Sequence, residues 1–431
     1  MEKNEQGPRI YNLFPLLAGS IKDWQARIPT IGAMHFNWIF LNPFHYPGFS
    51  GSLYAVKDYY RLHPLFQGDG EESMEELLGG FLHHAEATGL RVMMDLVVNH
   101  TSKDSILVAE HPGWYVRDRD GQICSPFAVN PDDPEDITVW GDLAALDYSP
   151  RPERKEMIEY WQALLQYYIK LGFHGFRCDA AYQISGEVWQ ELISAARADK
   201  PEVLFFAETL GAKLEEVEQL HSSGFDYFFN SAKWWDFMAP WLLEQYDKFR
   251  LVAPSIAFPE SHDTERLAAE SGGKESVSRF WYLFCAFFSS GVMMPIGYEL
   301  GYRCRLNVVN TRPADGQKGA FDIRQFIAAV NEMKAKVPVL NEEGPQECFT
   351  GEDAAVVGLL RRSTRRQQKA AALINPHREK EEYFNLEHLA AVMGCEPQDI
   401  VEITPQTEGS VIMTTDRLRL PPCSIRVFQV D

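Results

Sequence analysis

Residues 175–181 read GFRCDAA, an apolar run that predicts a β-strand and ends at a single acidic side chain, Asp179. Two later segments have the same form: FAET ends another apolar run at Glu208, and ESHD places Asp263 just beyond a third. Glycosidic bonds are commonly broken by two carboxyl groups that flank the sugar ring. The three segments therefore indicate carbohydrate chemistry, provided that they meet in space.

Apolar runs alternate with amphipathic stretches along most of the chain. This alternation predicts parallel βα units, and eight such units close a (β/α)8 TIM barrel, which makes the predicted fold class α/β. The predicted strands are Ile10–Leu16, His35–Asn42, Arg91–Val98, His174–Asp179, Val203–Glu208, Phe225–Phe229, Pro254–Phe258 and Val292–Tyr298. The predicted helices are Ser20–Ala33, Ser73–Thr88, Arg154–Leu171, Glu187–Arg197, Leu214–His221, Ala232–Tyr246, Lys274–Phe288 and Asp322–Ala335.

In such a barrel the carboxyl ends of the strands meet at one mouth, so Asp179, Glu208 and Asp263 can converge from distant parts of the sequence. Arg177 precedes Asp179 by two positions and should share its face of the strand. We expect its guanidinium to keep Asp179 ionised and to lower its pKa. Glu208 follows the apolar run LFFA, which should raise its pKa and keep a proton available.

Together with DLVVNH at residues 95–100, the order of these segments resembles the conserved regions of the α-amylase family of glycoside hydrolases and transglycosylases. The resemblance implies a retaining mechanism, with Asp179 as nucleophile and Glu208 as general acid and then base. Asp263 would be a fixed carboxylate that grips sugar hydroxyls. Such a mechanism needs the first two carboxyl groups about 5 to 5.5 Å apart.

The same resemblance implies roles for further side chains in the matching segments. A lone Asp at a strand end is more often a helix cap or a turn residue, so only the joint pattern argues for a site. The tryptophans Trp234 and Trp235 are interpreted as helix packing and not as a sugar platform. The implied substrate-binding residues are Tyr54, His100, Arg177 and His262, and the implied structural supports are Asp58, Asp95, which would brace Arg177, and Asn99.

Two stretches interrupt the βα alternation. Residues 101–153 are rich in Pro, Asp, Gly and Trp, and in the family resembled a small subdomain leaves the barrel here, after the third strand, and walls the cleft. Residues 345–431 are predicted to form a small antiparallel β domain, sandwich-like, beside a catalytic barrel of residues 1–344. Its predicted strands are Val356–Arg361, Lys369–Ile374, Ile400–Ile403, Ser410–Thr414 and Ser424–Val430.

The chain departs from many calcium-dependent members of that family. They carry Lys-His shortly after the nucleophile and an Asp before Leu-Asn in the subdomain, where this chain has Tyr182-Gln183 and Ala145-Leu146. Asn99 remains, but Ca²⁺ takes six to eight oxygen ligands. We therefore expect neither a tightly bound calcium nor another cofactor. The change at Tyr182-Gln183 also argues against starch-type endo-hydrolysis.

Bulk composition is compatible with a globular enzyme. The 431 residues are 45% hydrophobic and carry a formal charge of −20, which would repel nucleic-acid backbones and anionic membranes but not a neutral oligosaccharide or α-glucan. No apolar run reaches the roughly 18 residues of a membrane helix. Seven scattered cysteines without a CxxC pair, and no apolar leader near the first residue, predict a cytoplasmic protein. The oligomeric state stays open.

Three functions remain compatible with these residues. The first is a hydrolase of α-glucosidic bonds in malto-oligosaccharides or related α-glucans. The second is a glycosyl transferase or phosphorylase, in which a sugar or phosphate intercepts the same covalent intermediate; HPGWYVRDRDG and AETL are similar to segments of family members that move maltosyl units. The third, a non-catalytic carbohydrate-binding relative, is disfavoured because all three carboxylates are kept. Linkage, substrate length and endo or exo action stay open.

Overall fold

Eight parallel strands close into a barrel in the computed structural model, which describes residues 6–130, 133–316, 319–351, 353–405 and 417–430. Around the ring the order is β1-β8-β7-β6-β5-β4-β3-β2, so each strand pairs with its neighbours in sequence and β8 closes on β1. All eight predicted strands, and with them the fold class, are confirmed. The strands are β1 (Arg9–Leu13), β2 (Trp38–Leu41), β3 (Arg91–Leu96), β4 (Gly175–Cys178), β5 (Leu204–Ala207), β6 (Tyr227–Phe229), β7 (Ser255–Ala257) and β8 (Gly291–Pro295).

Large apolar side chains fill the inside of the barrel. Burying one such side chain contributes about 1.5–3 kcal/mol, so this layer fixes the ring of strands strongly. Because the interior is filled, polar groups are left to the rim at the carboxyl ends of the strands. The interior layer consists of Ile10, Trp38, Phe40, Met93, Phe206, Phe229, Ile256, Phe258 and Met293.

A helix follows each barrel strand and packs outside it. Ser20 and Ser73 begin the first two with capping boxes, in which a serine oxygen and an acidic side chain each accept a backbone N–H. Among the described residues, no helix has the length and apolar composition needed to cross a membrane. The helices are α1 (Ile21–Ala33), α2 (Met74–Ala87), α3 (Pro152–Leu171), α4 (Gly186–Asp199), α5 (Leu214–Glu218), α6 (Trp241–Phe249), α7 (Glu275–Phe288) and α8 (Arg324–Lys336).

The prediction of one helix over Ala232–Tyr246 is wrong in its first half. Residues 232–234 form a single 3-10 turn, and α6 begins only at Trp241. Phe237 has a left-handed backbone with φ of 64°, which no α-helix accommodates. The Asp236 carboxylate accepts the N–H groups of residues 238 and 239 and holds this turn in place. A short side-chain hydrogen bond therefore outcompetes the helix here.

The described residues of the inserted stretch after β3 form short elements and no βα unit. Residues His100–Ser102 pair with Leu143–Ala145, and a β-hairpin joins Phe127–Asn130 to Asp133–Val139. A short helix, Ile106–Glu110, lies between them along the chain. The insertion thus leaves the barrel at the end of β3, beside the predicted site.

The last part of the chain forms a five-stranded antiparallel sheet in the order β9-β10-β11-β13-β12. One face, which includes Leu359 and Val427, joins the hydrophobic core around the barrel. The predicted domain boundary at residues 344 and 345 stays a prediction, and the predicted strand Ser410–Thr414 lies outside the described residues. The strands are β9 (Gln346–Cys348), β10 (Val357–Arg362), β11 (Lys369–Asn375), β12 (Val401–Glu402) and β13 (Ser424–Val430).

The opposite face of this sheet packs under helix α9 (Leu386–Met393), which the sequence analysis missed. Asn385 caps the helix by accepting the His388 N–H, and Gly394 ends it with φ of 69°. Leu386, Leu389, Ala390 and Met393 are buried at helical spacing. That periodicity, between an Asn and a Gly, was the signal available in the sequence.

Candidate active site

The Arg177 guanidinium lies at the centre of the carboxylates at the barrel mouth. Its Nη1 donates to Asp95 Oδ1 at 2.8 Å and to Asp179 Oδ1 at 2.7 Å, while Nη2 lies 3.9 Å from Glu208 Oε2. Arg177 is only 4% exposed. Burial alone would lower its pKa, but the carboxylates, Asp95 first, raise the pKa of Arg177 well above its ordinary value. The predicted contacts of Asp95 and Asp179 with Arg177 are therefore present in the structure.

A second arm of the site runs from Asp95 through Tyr54 to the seventh strand. The Tyr54 hydroxyl donates to Asp95 Oδ2 at 2.7 Å and lies 2.7 Å from His262 Nε2. The same nitrogen lies 3.1 Å from Asp263 Oδ2. When Tyr54 donates to Asp95, the proton between Tyr54 and His262 must come from Nε2. One hydrogen-bonded chain thus joins β3 to the segments that follow β2 and β7.

Glu208 follows β5 and is held by backbone N–H groups on both carboxyl oxygens. Ala180 N–H donates to Oε2 at 2.8 Å and Leu210 N–H donates to Oε1 at 2.7 Å. Ala180 reaches this position because it has a left-handed backbone with φ of 41°. The sequence analysis missed both donors: backbone groups have no residue signature, and Ala gives no hint of a positive φ.

Burial raises the pKa of the Glu208 carboxyl to about 7, with Arg177 opposing this shift and the charge of Asp179 adding to it. The direction agrees with the expectation from the apolar run LFFA. A carboxyl group with this pKa holds a proton over much of the neutral range, whereas Asp179 lies in direct contact with a fixed cation. The two carboxyl groups can therefore take different roles in one reaction.

Two histidines at the mouth are held neutral. Burial lowers the pKa of His262, although the neighbouring Asp263 raises it, and burial likewise lowers the pKa of His100 against the charge of Asp179. Each neutral imidazole offers one donor and one acceptor nitrogen. Such groups can form hydrogen bonds with sugar hydroxyls without bringing a net charge into the site.

The loop that carries His262 and Asp263 is anchored by a second buried ion pair. Glu260 accepts Arg266 Nη1 at 2.8 Å and the Leu267 N–H at 2.6 Å. Arg266 also donates to the Ile296 and Cys304 carbonyls and so ties this loop to the segment after β8. The sequence analysis quoted Glu260 without a role and did not mention Arg266. A carboxylate and an arginine six positions apart gave a weak signal that only the fold could interpret.

The site opens to solvent where the three carboxylates lie. The Asp179 and Glu208 side chains are 14% and 11% exposed, and Asp263 is 60% exposed. Trp234, which lies beyond β6 on the same rim, is also half exposed and contacts Phe258 edge-on. Trp235 is buried against Phe284, as the packing interpretation expects, whereas Trp234 combines a ring contact with an exposed face.

Two of the predicted support residues lie outside this cluster. Asp58 pairs with Tyr46 in a β-hairpin and accepts the Tyr60 N–H. Asn99 donates through Nδ2 to Gln183 Oε1 at 3.3 Å, which connects the end of β3 to the turn after Asp179. Hydrogen bonds and ion pairs connect the other predicted residues at the mouth except His100, whose ring nitrogens have no hydrogen-bond partner among the described residues.

The residues around Asn99 do not fit a calcium ion. Asn99 Oδ1 has no hydrogen-bond partner in the described part of the chain, but Ca²⁺ needs six to eight oxygens. The nearby Asp147 carboxylate is bound to Arg151 and to the Ser149 N–H. Across the described ranges, no three His, Cys, Asp or Glu side chains cluster as metal ligands would.

Several known proteins are similar to this chain in sequence or in fold. A family model of the glycogen debranching enzyme glucanotransferase domain matches residues 9–116. An α-1,4-glucan:maltose-1-phosphate maltosyltransferase of Burkholderia pseudomallei is 28% identical over 415 residues, covering 90% of this chain and 34% of that protein. Neopullulanase 2 of Thermoactinomyces vulgaris is 22% identical, covering 66% of this chain and 50% of that protein. An α-amylase structure from Lactobacillus plantarum superimposes with a TM-score of 0.76 at 20% identity, covering 98% of this chain and 99% of that one.

These matches support the resemblance of the chain to the α-amylase family of glycoside hydrolases and transglycosylases. It spans between about a third and just over half of the curated relatives that it matches, with 34% of the Burkholderia pseudomallei protein and 51% of the Rhodospirillum rubrum maltosyltransferase. The structural likeness to the α-amylase establishes the fold. The reaction of this chain must be argued from its own residues.

The raised pKa of Glu208 can be measured directly. Infrared difference spectra of wild type against Glu208→Gln should show a carboxyl group that titrates near pH 7. Asp179→Asn should lower that midpoint, because the charge of Asp179 disfavours ionisation of Glu208. Asp58→Asn, outside the cluster, is the matched control and should leave the midpoint unchanged. A midpoint near 4.5 in the wild type would contradict the burial argument.

The expectation that no calcium is bound predicts thermal unfolding that a chelator does not change. A change of 1 kcal/mol in the free energy of unfolding shifts the Tm of a domain of 150–250 residues by at least about 2 °C. Addition of EDTA should shift Tm by less than this amount, about 2 °C. Differential scanning calorimetry with and without chelator checks this. A large fall in Tm that added Ca²⁺ reverses would mean that Asn99 and its neighbours hold the ion after all.

Proposed function

We propose that the chain is a retaining α-glycosidase that hydrolyses α-glucosidic bonds in malto-oligosaccharides or related α-glucans. The observation that carries this proposal is the shared guanidinium: Arg177 lies 2.7 Å from Asp179 and 3.9 Å from Glu208, and Glu208 has its pKa raised to about 7. One carboxyl group thus contacts a fixed cation beside another that retains a proton. Double displacement at an anomeric carbon requires this pairing.

In the first step, an Asp179 oxygen attacks the anomeric carbon and the glycosidic bond breaks. Glu208 transfers its proton to the departing oxygen, so the leaving sugar departs as an alcohol and the retained sugar becomes an ester of Asp179. In the second step, Glu208 takes a proton from water, and the resulting hydroxide displaces Asp179. Configuration at the anomeric carbon is retained because two inversions follow each other.

The remaining residues of the cluster would position the retained sugar. Asp263, with its exposed carboxylate, can accept hydrogen bonds from sugar hydroxyls, and the neutral His100 can donate to one; the Nε2 proton of His262 is donated to Tyr54. The Tyr54 hydroxyl is held by Asp95 and His262, which fixes its ring at the mouth. Contacts that strengthen as positive charge develops on the sugar would lower the barrier.

The second candidate is transfer of a glycosyl unit to a sugar or to phosphate. It is supported by the relatives, several of which are α-1,4-glucan:maltose-1-phosphate maltosyltransferases. Chemically, only the acceptor of the second step changes, since Glu208 would deprotonate a sugar hydroxyl instead of water. A non-catalytic binding role gains no support, because Asp179, Glu208 and Asp263 are all at the mouth.

Several further expectations stay proposals. We propose that the reaction needs no metal, since the three carboxylates and Arg177 supply the acid, the base and the nucleophile. The charge of −20 supports a neutral glucan substrate over nucleic acid or a membrane surface as partner. Seven free thiols support a cytoplasmic location.

Replacing the proposed acid Glu208 should slow cleavage of a sugar leaving group, which needs a proton, more than cleavage of fluoride, which does not. Glu208→Gln should lower kcat/KM for maltoheptaose by about 100-fold to 10,000-fold, the usual contribution of general acid–base catalysis. An α-maltosyl fluoride should suffer less in its first step, because fluoride leaves without a proton. Glu215→Gln, an exposed change in α5, is the matched control. Wild-type rates on maltoheptaose in Glu208→Gln would remove Glu208 from the mechanism.

Product analysis separates the hydrolase from the transferase. Incubation of wild type with maltoheptaose should give shorter oligosaccharides in proportion to the water consumed, and neither added phosphate nor added maltose should alter the products. Chromatography with mass detection measures this. Appearance of a sugar phosphate, or of oligosaccharides longer than the substrate, would instead support the transferase.

A further inference from the structure

The strand order fixes which side of the mouth faces the leaving group. Glu208 ends β5, and in the eight-membered ring β5 lies opposite β1. The acid must face the departing oxygen at C1 of the retained sugar. In a pyranose, C4 lies across the ring from C1, so the non-reducing end of the retained sugar points away from Glu208. It points to the rim above β1 and its neighbours β2 and β8.

The rim above β1 is covered by protein. After β1 the chain turns at once into buried residues 14–18, and the turn Pro313–Asp315 of the segment after β8 packs on them. The same segment reaches the loop after β2: Leu53 N–H donates to the Val308 carbonyl at 3.0 Å. Leu53 is the residue before Tyr54. The segments after β2 and β8 therefore join across the end of β1, beside the site.

This junction, which we call the β1 bridge (residues 49–54 and 305–312), is anchored in the structure. Leu306 is buried and Val308 packs against the main core. The Asn307 side-chain oxygen accepts the N–H groups of Val309 and Asn310 at 2.9 and 2.8 Å. The backbone of the bridge is thus held by its own hydrogen bonds as well as by apolar contacts.

The wall continues from the β1 bridge to the exposed carboxylate. Arg305 donates through Nη2 to the Asp263 carbonyl at 2.9 Å and through Nη1 to Glu265 Oε1 at 3.1 Å. The segments after β7 and β8 are therefore tied together on the same side of the mouth. On the opposite side, around Glu208, the rim presents exposed residues that include Gln183, Gly211 and Trp234.

We propose that the β1 bridge closes the glycone side of the pocket, so that the site accepts only the non-reducing end of a linear α-glucan and releases units of one length. This inference rests on the proposed glycosidase function. It makes Asn307 a positioning residue for specificity, because its amide oxygen shapes the bridge without reaching the carboxylates. Chains that would have to continue through the bridge are rejected by steric overlap.

A pair of substrates tests the closed side. The wild type is assayed with p-nitrophenyl maltoheptaoside carrying either a free non-reducing end or one blocked at O4 and O6 by an ethylidene group. We expect kcat/KM for the blocked substrate to be more than roughly tenfold lower, and β-cyclodextrin, which has no end, to resist cleavage. Equal rates on the free and blocked substrates would overturn the closed pocket.

Two variants locate the effect in the bridge. Asn307→Ala removes the oxygen that holds the bridge backbone. It should raise the ratio of kcat/KM for the blocked substrate to kcat/KM for the free substrate to roughly three times the wild-type ratio or more. Asn310→Ala changes the same segment but keeps that oxygen, and should leave the ratio at the wild-type value. A ratio unchanged in Asn307→Ala would contradict the assignment of specificity to this segment.

Binding distinguishes failure of this inference from failure of the proposed function. With Glu208→Gln, calorimetric affinity for free maltoheptaose should exceed that for the blocked form by more than roughly tenfold. If Glu208→Gln binds the free form selectively but the wild type turns over neither substrate, the glycosidase proposal is contradicted and the closed pocket is kept. Turnover of the free substrate with equal binding of both forms would keep the glycosidase and overturn the closed pocket.

Discussion

The site depends on one cation held inside a ring of carboxylates. Arg177 lies at the end of β4, almost completely buried, and meets Asp95, Asp179 and Glu208 at once. Removing one partner from a buried ion pair typically costs about 3–5 kcal/mol, because a charge is then left unpaired in a medium of low polarity. The guanidinium therefore fixes the positions of the acids. A lysine would have no second nitrogen to face Glu208 while the first contacts Asp95 and Asp179.

The barrel makes this arrangement possible because it brings strand ends together that are remote in sequence. Its filled interior excludes water below the mouth and raises the pKa of Glu208, while the rim leaves Asp263 accessible. Backbone groups contribute as much as side chains: Ala180 and Leu210 hold Glu208, and Ala180 does so from a left-handed conformation. The loop with His262 is stabilised separately by the Glu260–Arg266 pair.

The sequence was sufficient for the parts of the site that are local. Strand-like runs with single acids at their ends identified Asp179 and Glu208, and two-residue spacing placed Arg177 beside Asp179. Contacts between segments could not be predicted from the sequence. No residue pattern indicates that the Leu53 N–H donates to the Val308 carbonyl or that Arg305 donates to the Asp263 carbonyl. The irregular turn at Asp236 and Phe237 was missed because one side-chain hydrogen bond overrides the helical pattern. Helix α9, by contrast, has apolar residues at helical spacing in its sequence, and the sequence analysis overlooked this pattern.

The central claim is that Asp179 becomes covalently bound to sugar while Glu208 serves as acid and then base. It is tested most directly by treating Glu208→Gln with α-maltosyl fluoride and measuring the intact protein by mass spectrometry. Fluoride leaves without the acid, but the missing base slows hydrolysis of the ester, so the protein should gain the mass of one maltosyl unit. Peptide mapping should place that unit on Asp179. A label on any other residue, or a protein that turns over the fluoride without ever carrying the sugar, would contradict the account.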